Sequence, residues 1–221
     1  MQLVDDDIEF VEQKRDCSYF EDEISDIRYR YLQNCSTSEY QKMLERGWRR
    51  FGKMHFVPEC ENCTKCISMR IDVANYKFSK SEKRVMAKNR DTKLYVQAPT
   101  LSLDHLQLYD KYHSKMAEKK GWNYTPIEPV EYNRSYCQGK AEYSKEFLYF
   151  RDDKLVAVAL TDVLPNSLSS IYCYYDHEYE DLSLGKFSIL AQIKVAKELK
   201  IPYIYLGYWI KEHHSMGYKI N

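Results

Sequence analysis

Only 7 of the 221 residues are glycine, too few for the Gly-rich loops that let a backbone cradle a phosphate. Long apolar runs are missing as well: no window approaches the roughly 18 consecutive apolar residues of a membrane-spanning helix. The opening residues (Asp5, Asp6, Asp7, Glu9, Glu12) are acidic where an export signal would be basic and then greasy. A cytoplasmic protein with no membrane partner is expected. Neither sign of charge prevails, 33 basic side chains standing against 33 acidic ones, so the total announces no DNA binder and no solvating tail. What the chain does have is apolar mass, 44% of its residues, enough to build a core and to exclude a disordered polymer. Tyrosine is the outlier, with 21 copies whose hydroxyls can line a polar cleft.

Seven cysteines is an odd number, and in a chain without an export signal they read as thiols or metal ligands rather than a disulfide framework. Cys60, Cys63 and Cys66 form a C-x2-C-x2-C run, which lets several thiolates converge on one centre and suits an iron–sulfur cluster or zinc. A fourth ligand must come from elsewhere. Cys17 is the first candidate and Cys35 the second, because Cys137 and Cys173 fall in segments that read as loop and strand core. The competing reading is a set of reduced thiols in a tight turn.

Residues 1–95 mix short strand-like pieces (55–57 and 67–73) with polar helices and hold five of the seven cysteines, which predicts a cysteine-containing N-terminal module. Ser102 then suits the start of a helix carrying Leu103, Leu106, Leu108 and Tyr112. Two apolar runs, 146–152 and 154–162, meet at Arg151-Asp-Asp-Lys154 as a hairpin would. Residues 169–176 alternate as another strand, and 183–200 has an amphipathic helical period. Residues 203–210 read as a buried strand, and 120–144, with Pro126, Pro129 and Gly139, as a mobile loop. Helix, hairpin, strand, helix, strand is the order of the GNAT-like acyltransferase core, so an α/β (α+β) domain of that kind is expected over 96–221.

In that core the pyrophosphate of acetyl-CoA sits on a Gly-rich turn before the second helix. Here the turn from Asp176 to Gly185 has one glycine and carries Glu178, Glu180 and Asp181, carboxylates that repel a pyrophosphate. Ordinary acetyl transfer is therefore chemically poor, and the acyl donor is expected to bring its own phosphates. A surface for them is present: Lys77, Lys80, Arg84 and Lys88 fall along one stripe if the chain is helical from about Ser79, and Lys83 and Arg90 flank it. Neutral overall charge hides a basic ridge able to hold several phosphates.

These residues resemble a family. Ser169-Ser-Ile-Tyr-Cys-Tyr-Tyr-Asp176, Asp181-Leu-Ser-Leu-Gly185, Tyr205-Leu-Gly-Tyr-Trp-Ile210 and Met216-Gly-Tyr-Lys219 are similar to the C-terminal half of aminoacyl-tRNA-protein transferases. Cys17-Ser-Tyr19, Gly47-Trp-Arg-Arg-Phe-Gly52, the cysteine run and Phe78-Ser-Lys-Ser-Glu-Lys-Arg84 resemble the bacterial aspartate/glutamate leucyltransferase branch. Phe20-Glu21 replaces the usual Leu-Pro of that branch. The family continues past the Tyr-Lys pair while this chain stops at Asn221, which implies an unpaired edge on the last strand.

The resemblance implies transfer of leucine from leucyl-tRNA to the α-amine of proteins beginning with Asp or Glu. Arginyl transfer is one alternative, and a non-catalytic RNA-binding or redox-sensing module another. The aminoacyl ester is already activated, so no cofactor is required for the chemistry. The protein must juxtapose the substrates, accept a proton and stabilise an oxyanion. If the strand over 169–176 is regular, Tyr172, Tyr174 and Asp176 share one face. Asp176 is then the expected proton acceptor, with Asp162 as its understudy, and amides near Cys173 and Tyr174 receive the carbonyl. Tyr208 and Trp209 offer a hydroxyl and a stacking plane for the terminal adenosine. Arg70 is the expected partner of the acidic side chain, with Arg49 and Arg50 as rivals.

Overall fold

The computed structural model describes residues 7–121, 123–139 and 142–212. In chain order the first elements are β1 (Ile8–Val11), the short β2 (Arg15–Asp16) and β3 (Ile24–Ser25), β4 (Ile27–Tyr31), α1 (Thr37–Glu45), β5 (Arg49–Phe51), β6 (Met54–Pro58), β7 (Cys66–Asp72) and α2 (Lys80–Lys88). They are followed by β8 (Lys93–Gln97), α3 (Leu103–Lys120), α4 (Pro129–Tyr132), β9 (Ser144–Arg151), β10 (Lys154–Val163), β11 (Ser167–Tyr175), α5 (Leu184–Glu198) and β12 (Tyr203–Ile210).

Local chemistry sets many of these boundaries. Ser79 opens α2 with a reciprocal box: its hydroxyl accepts from the Glu82 amide at 3.2 Å, and the Glu82 carboxylate accepts from the Ser79 amide at 2.8 Å. Ser102 caps α3 in the expected place, and Gly121 closes it in the left-handed region at φ 69°. The β9–β10 hairpin turns through Asp152 and Asp153 at φ 49° and 59°, the doubly positive pair that matches strand twist.

The main sheet runs β7-β12-β11-β10-β9-β8, and a smaller one runs β1-β4-β6-β5. Every neighbouring pair in the main sheet is antiparallel except β11 with β12, the parallel pair joined through α5. Alternate residues feed the two faces. Phe147, Tyr149, Ala157 and Ala159 pack with Leu184 and Ala191 of α5, whereas Leu148, Val158 and Tyr174 pack with Leu108 and Tyr109 of α3. α2 lies beside α5 on the first face, Val85 and Met86 joining the cluster of Leu190 and Ile193.

Three expectations need correction. β7 and α2 belong to the expected N-terminal module, yet they build into the main sheet and its α5 face, so a line at 95/96 passes through the sheet. The segment read as a loop over 120–144 carries α4 and a π-helical turn, Asn133–Cys137, and Tyr132 within it is fully buried. The outer edge of β12 is covered by β7, because the partner comes from a distant part of the chain. The Met216–Lys219 motif lies outside the described residues.

Candidate active site

β11 and β12 pair over only three positions, Ser167 with Tyr203, Leu168 with Ile204 and Ser169 with Tyr205. Each strand then departs from regular register. In β11, Ser170 faces Thr161 and Tyr172 faces Leu160, so Ile171 is an extra residue. In β12, Tyr205 faces Arg70 and Tyr208 faces Ser68, with Gly207 at φ 77°. Such bulges bend strands and re-aim their side chains, and here β11 and β12 no longer pair beyond Ser169 and Tyr205, which leaves a gap on the carboxyl side of that pairing. The bulge also sets the phase: Tyr172 and Tyr174 both pack with the α3 cluster.

The β5–β6 hairpin spans this gap on the α3 face. Phe51 meets Tyr172 at 6.4 Å between ring centroids, and Phe51 stacks on Phe56, which meets Tyr208 of β12 at 6.4 Å. Tyr136 stacks on Tyr172 at 5.8 Å, and the Tyr109 and Tyr136 hydroxyls lie 3.1 Å apart. Tyr174 is fully buried, its hydroxyl 2.6 Å from that of Tyr132. Burial raises the phenol of Tyr172 far above its ordinary value. His113 of α3 lies 2.6 Å from the Tyr172 hydroxyl through Nε2, while its Nδ1 lies 2.8 Å from the Tyr109 carbonyl. A wider depression of about 380 Å³ over β8 and β9, lined by Lys93, Tyr95 and Phe150, contains none of these groups.

The two aspartates expected as proton acceptors are engaged by cations. Asp176 is fully buried and bonds Lys111 at 2.7 Å, Lys154 at 3.0 Å and the Glu178 amide at 3.0 Å. Burial alone would raise its carboxyl, but the bonds from Lys111, Glu178 and Lys154 outweigh burial and hold it below the usual carboxylate value. Asp162 takes both of its oxygens to Arg50, which also donates to the Gly52 carbonyl at 2.6 Å. Lys111 and Lys154 also bond Glu178 at 2.8 and 3.7 Å, and their separation from Asp176 along the chain hides this pairing from a reading of residue order.

Of the arginines, Arg49 is buried, donates to the Leu44 and Trp48 carbonyls and to Ser68, and lies 5.2 and 5.3 Å from the rings of Tyr205 and Tyr208. Arg70 is exposed, 4.0 Å over the Tyr203 ring and 3.3 Å from the Tyr205 hydroxyl. Tyr208 donates to the Gly47 carbonyl at 2.5 Å, and Trp209 is half-buried.

Lys77, Lys80, Lys83, Arg84 and Lys88 are all exposed. Lys88 donates to the Asp181 carbonyl at 3.0 Å and Asn89 to the Leu182 carbonyl at 2.8 Å, which fixes the end of α2 against the turn following β11. Lys186, Lys194 and Lys197 of α5 are exposed beside it and widen the stripe. The turn itself is a 3₁₀ segment, His177–Leu182.

Cys17, Cys60, Cys63 and Cys66 line one small cavity of about 40 Å³ with Phe20, Lys65 and Ile210. Burial and the neighbouring sulfurs push the Cys66 thiol up to about 11. Among the described residues no group of three or more His, Cys, Asp or Glu is arranged so that it could hold a metal ion, so the four thiols share a cavity without forming a ligand set. Cys35 lies elsewhere, buried in the core beside Leu32 and Tyr143. Among the described residues no helix is long and apolar enough to cross a membrane.

The structure is similar to the crystal structure of FemX, with a TM-score of 0.50 and 9% identity over 84% of this chain and 65% of that one, a likeness of fold. A family profile described as "Arginine-tRNA-protein transferase, C terminus" matches residues 104–221, and its N-terminal counterpart matches 15–84. Aspartate/glutamate leucyltransferase of Helicobacter hepaticus is 45% identical over 96% of this chain and 88% of its own length. The enzyme of the same name from Campylobacter jejuni is 45% identical over 92% and 85%. With its two halves matched in order, the chain belongs to the arginine-tRNA-protein transferase family, on the side of the aspartate/glutamate leucyltransferases.

Proposed function

We propose that this protein transfers leucine from leucyl-tRNA to the N-terminal α-amine of proteins beginning with Asp or Glu, marking them for degradation in the cytoplasm. One observation carries the choice of donor and acceptor: the 45% identity to a leucyltransferase along 96% of the chain. The parted strands support putting the reaction between them. We read the main sheet as a GNAT-like acyltransferase core, with β11 and β12 as the strands that separate to admit the acyl group.

In this reading the ester carbonyl lies in the gap, against β11 amides beyond Ser169 that face away from β10, and they stabilise the oxyanion. Holding amine and ester together supplies most of the rate. The exposed lysines and Arg84 of α2, extended by α5, take the tRNA phosphates and lead to the gap. Trp209 and Tyr208 flank the terminal adenosine. Arg70, the exposed arginine beside β12, receives the acidic side chain in two-point fashion, while Arg49 and Arg50 hold the scaffold that places it. Asp176 and Asp162 serve the reaction through position, keeping β10 and β11 where the gap requires them.

The four-sulfur cavity suits a soft centre, zinc or an iron–sulfur cluster, by the chemistry of its donors. Cys17, Cys60, Cys63 and Cys66 would hold it. Such a group would supply cross-linking between the β2–β3 pair and β7, and the transfer steps do not pass through it.

The test is a transfer assay with each charged tRNA in turn and peptides beginning with Asp or Ala. Leucine should pass to the Asp peptide and not to the Ala peptide. Arginine passing instead would overturn the choice of donor, and no transfer from any donor would overturn the enzyme reading.

A further inference from the structure

We infer that Tyr172 and His113 form the proton relay of the reaction, the tyrosine hydroxyl touching the attacking amine and the imidazole receiving the proton. The inference rests on the transfer reading above and joins Tyr172, a residue of the 169–176 motif, to His113, which no motif in the sequence singled out. Its first support is position. Tyr172 is the residue that follows the β11 bulge, and the β11 backbone around it has parted from β12. Its ring, half-buried, lies beneath Phe51 at the hairpin that spans the gap.

The second support is hydrogen-bond logic. A carbonyl oxygen can only accept, so the 2.8 Å contact from the Tyr109 carbonyl fixes the proton on Nδ1 of His113. In the neutral ring Nε2 then carries a lone pair, and the 2.6 Å contact makes the Tyr172 hydroxyl its donor. The hydroxyl oxygen keeps lone pairs for an amine. The groups facing the imidazole are Tyr109, Asp110 and Tyr112 of its own helix, Tyr172 of β11, and Tyr124, whose ring stacks on it at 5.7 Å. Burial lowers His113 below the usual imidazole value, against the upward pull of the Tyr109 carbonyl and the Asp110 carboxylate, so the ring is neutral near pH 7. Asp110 is itself occupied, accepting from the Tyr124 hydroxyl and from the Ile127 amide at 3.0 Å. Asp176 and Asp162 are each held by cations instead.

The proton count closes. The substrate ammonium gives one proton to the Tyr172 oxygen as the tyrosine proton moves to His113 Nε2, leaving a free amine. The nitrogen lone pair forms the new C–N bond at the ester carbonyl, and the carbonyl reforms as the C–O bond to ribose breaks. The second nitrogen proton ends on the departing ribose oxygen, and His113 releases the first to water.

The experiment measures steady-state leucyl transfer to an Asp peptide as a function of pH for the unaltered chain, Tyr172→Phe and His113→Gln, with melting temperature and leucyl-tRNA affinity measured alongside. General base catalysis is worth about 10²–10⁴-fold. Both variants should lose kcat in that range while the phenylalanine variant keeps its melting temperature and tRNA affinity, and the acid limb of the kcat profile should vanish in His113→Gln. If transfer by the unaltered chain is present and Tyr172→Phe stays within about threefold in kcat, or the acid limb survives in His113→Gln, the relay is overturned while the transfer reading stands. No transfer by the unaltered chain overturns both.

Discussion

Arg50 of β5 and Asp162 of β10 meet in the interior with almost no solvent on either, the guanidinium Nε 2.8 Å from one carboxylate oxygen and Nη2 against the other. The pair joins the smaller sheet to the main one. The guanidinium also lies 5.7 Å from the Tyr40 ring and 5.2 Å from the Tyr143 ring, and it donates to the Gly52 carbonyl and to Ser144, so the buried charge is fully partnered. Removing one partner leaves an uncompensated buried charge, which costs about 3–5 kcal/mol. Asp162→Ala should therefore lower unfolding stability by that amount in a denaturant titration, and Arg50→Lys should destabilise as well, because an ammonium cannot take both oxygens.

Asp176 predicts an acid-side effect. Its folded carboxyl titrates below the ordinary value of 3.8, so it contributes stability above that pH, and the contribution disappears as pH falls through the lower folded value. Asp176→Asn should lower the melting temperature at pH 7 and flatten its decline below about pH 4. If Asp176 were the proton acceptor, the same variant would abolish turnover as well at temperatures where it remains folded.

The basic stripe should reveal itself in salt dependence. Each cation that neutralises a phosphate contributes roughly one unit to the slope of log affinity against log salt. Lys80→Ala, Lys83→Ala and Arg84→Ala together should weaken leucyl-tRNA binding and reduce that slope by about three. The measurement is a filter-binding or anisotropy titration at several salt concentrations.

Gly52 sits at φ 55°, and a Cβ built there would come within 2.1 Å of the Arg134 carbonyl oxygen. Backbone cannot yield as a flexible side chain does. Gly52→Ala should push the β5–β6 hairpin away from the π-helical turn, costing about 1–3 kcal/mol and lowering transfer more than it lowers tRNA affinity. Chemical denaturation and the transfer assay read the two effects separately.

Protein purified without air should carry metal if the cysteine cavity is filled as proposed. Cys60→Ser and Cys63→Ser should each reduce metal per chain to under about a tenth, and chelation should lower the melting temperature of the unaltered chain while leaving the serine variants unmoved. Elemental analysis together with thermal melts checks both.

The elements whose signals are local were readable from residue order. Ser79 with Glu82, Ser102, and the Asp152–Asp153 turn announce their helices and hairpin within four residues, and 203–210 agrees with β12. The cysteine grouping was legible too, Cys17 and the run at 60–66 lining one cavity. What stayed hidden depends on distant partners. Nothing near Asp176 signals Lys111, 65 positions earlier, and nothing near Tyr172 signals His113 across 59 residues. Bulges at Ile171 and Gly207 arise from how strands meet their neighbours, and a strict period-two reading passes over them. The surplus of tyrosine was the one available hint of the ring cluster.

The place of β7 in the main sheet bears on how the chain is made. Its partner β12 lies about 130 residues later, and at ribosomal speeds of 5–20 residues per second that interval is on the order of ten seconds. Throughout it, a seven-residue strand leaves the tunnel with no mate to zip onto, so chaperone custody of the nascent chain should be greatest between these two moments of synthesis.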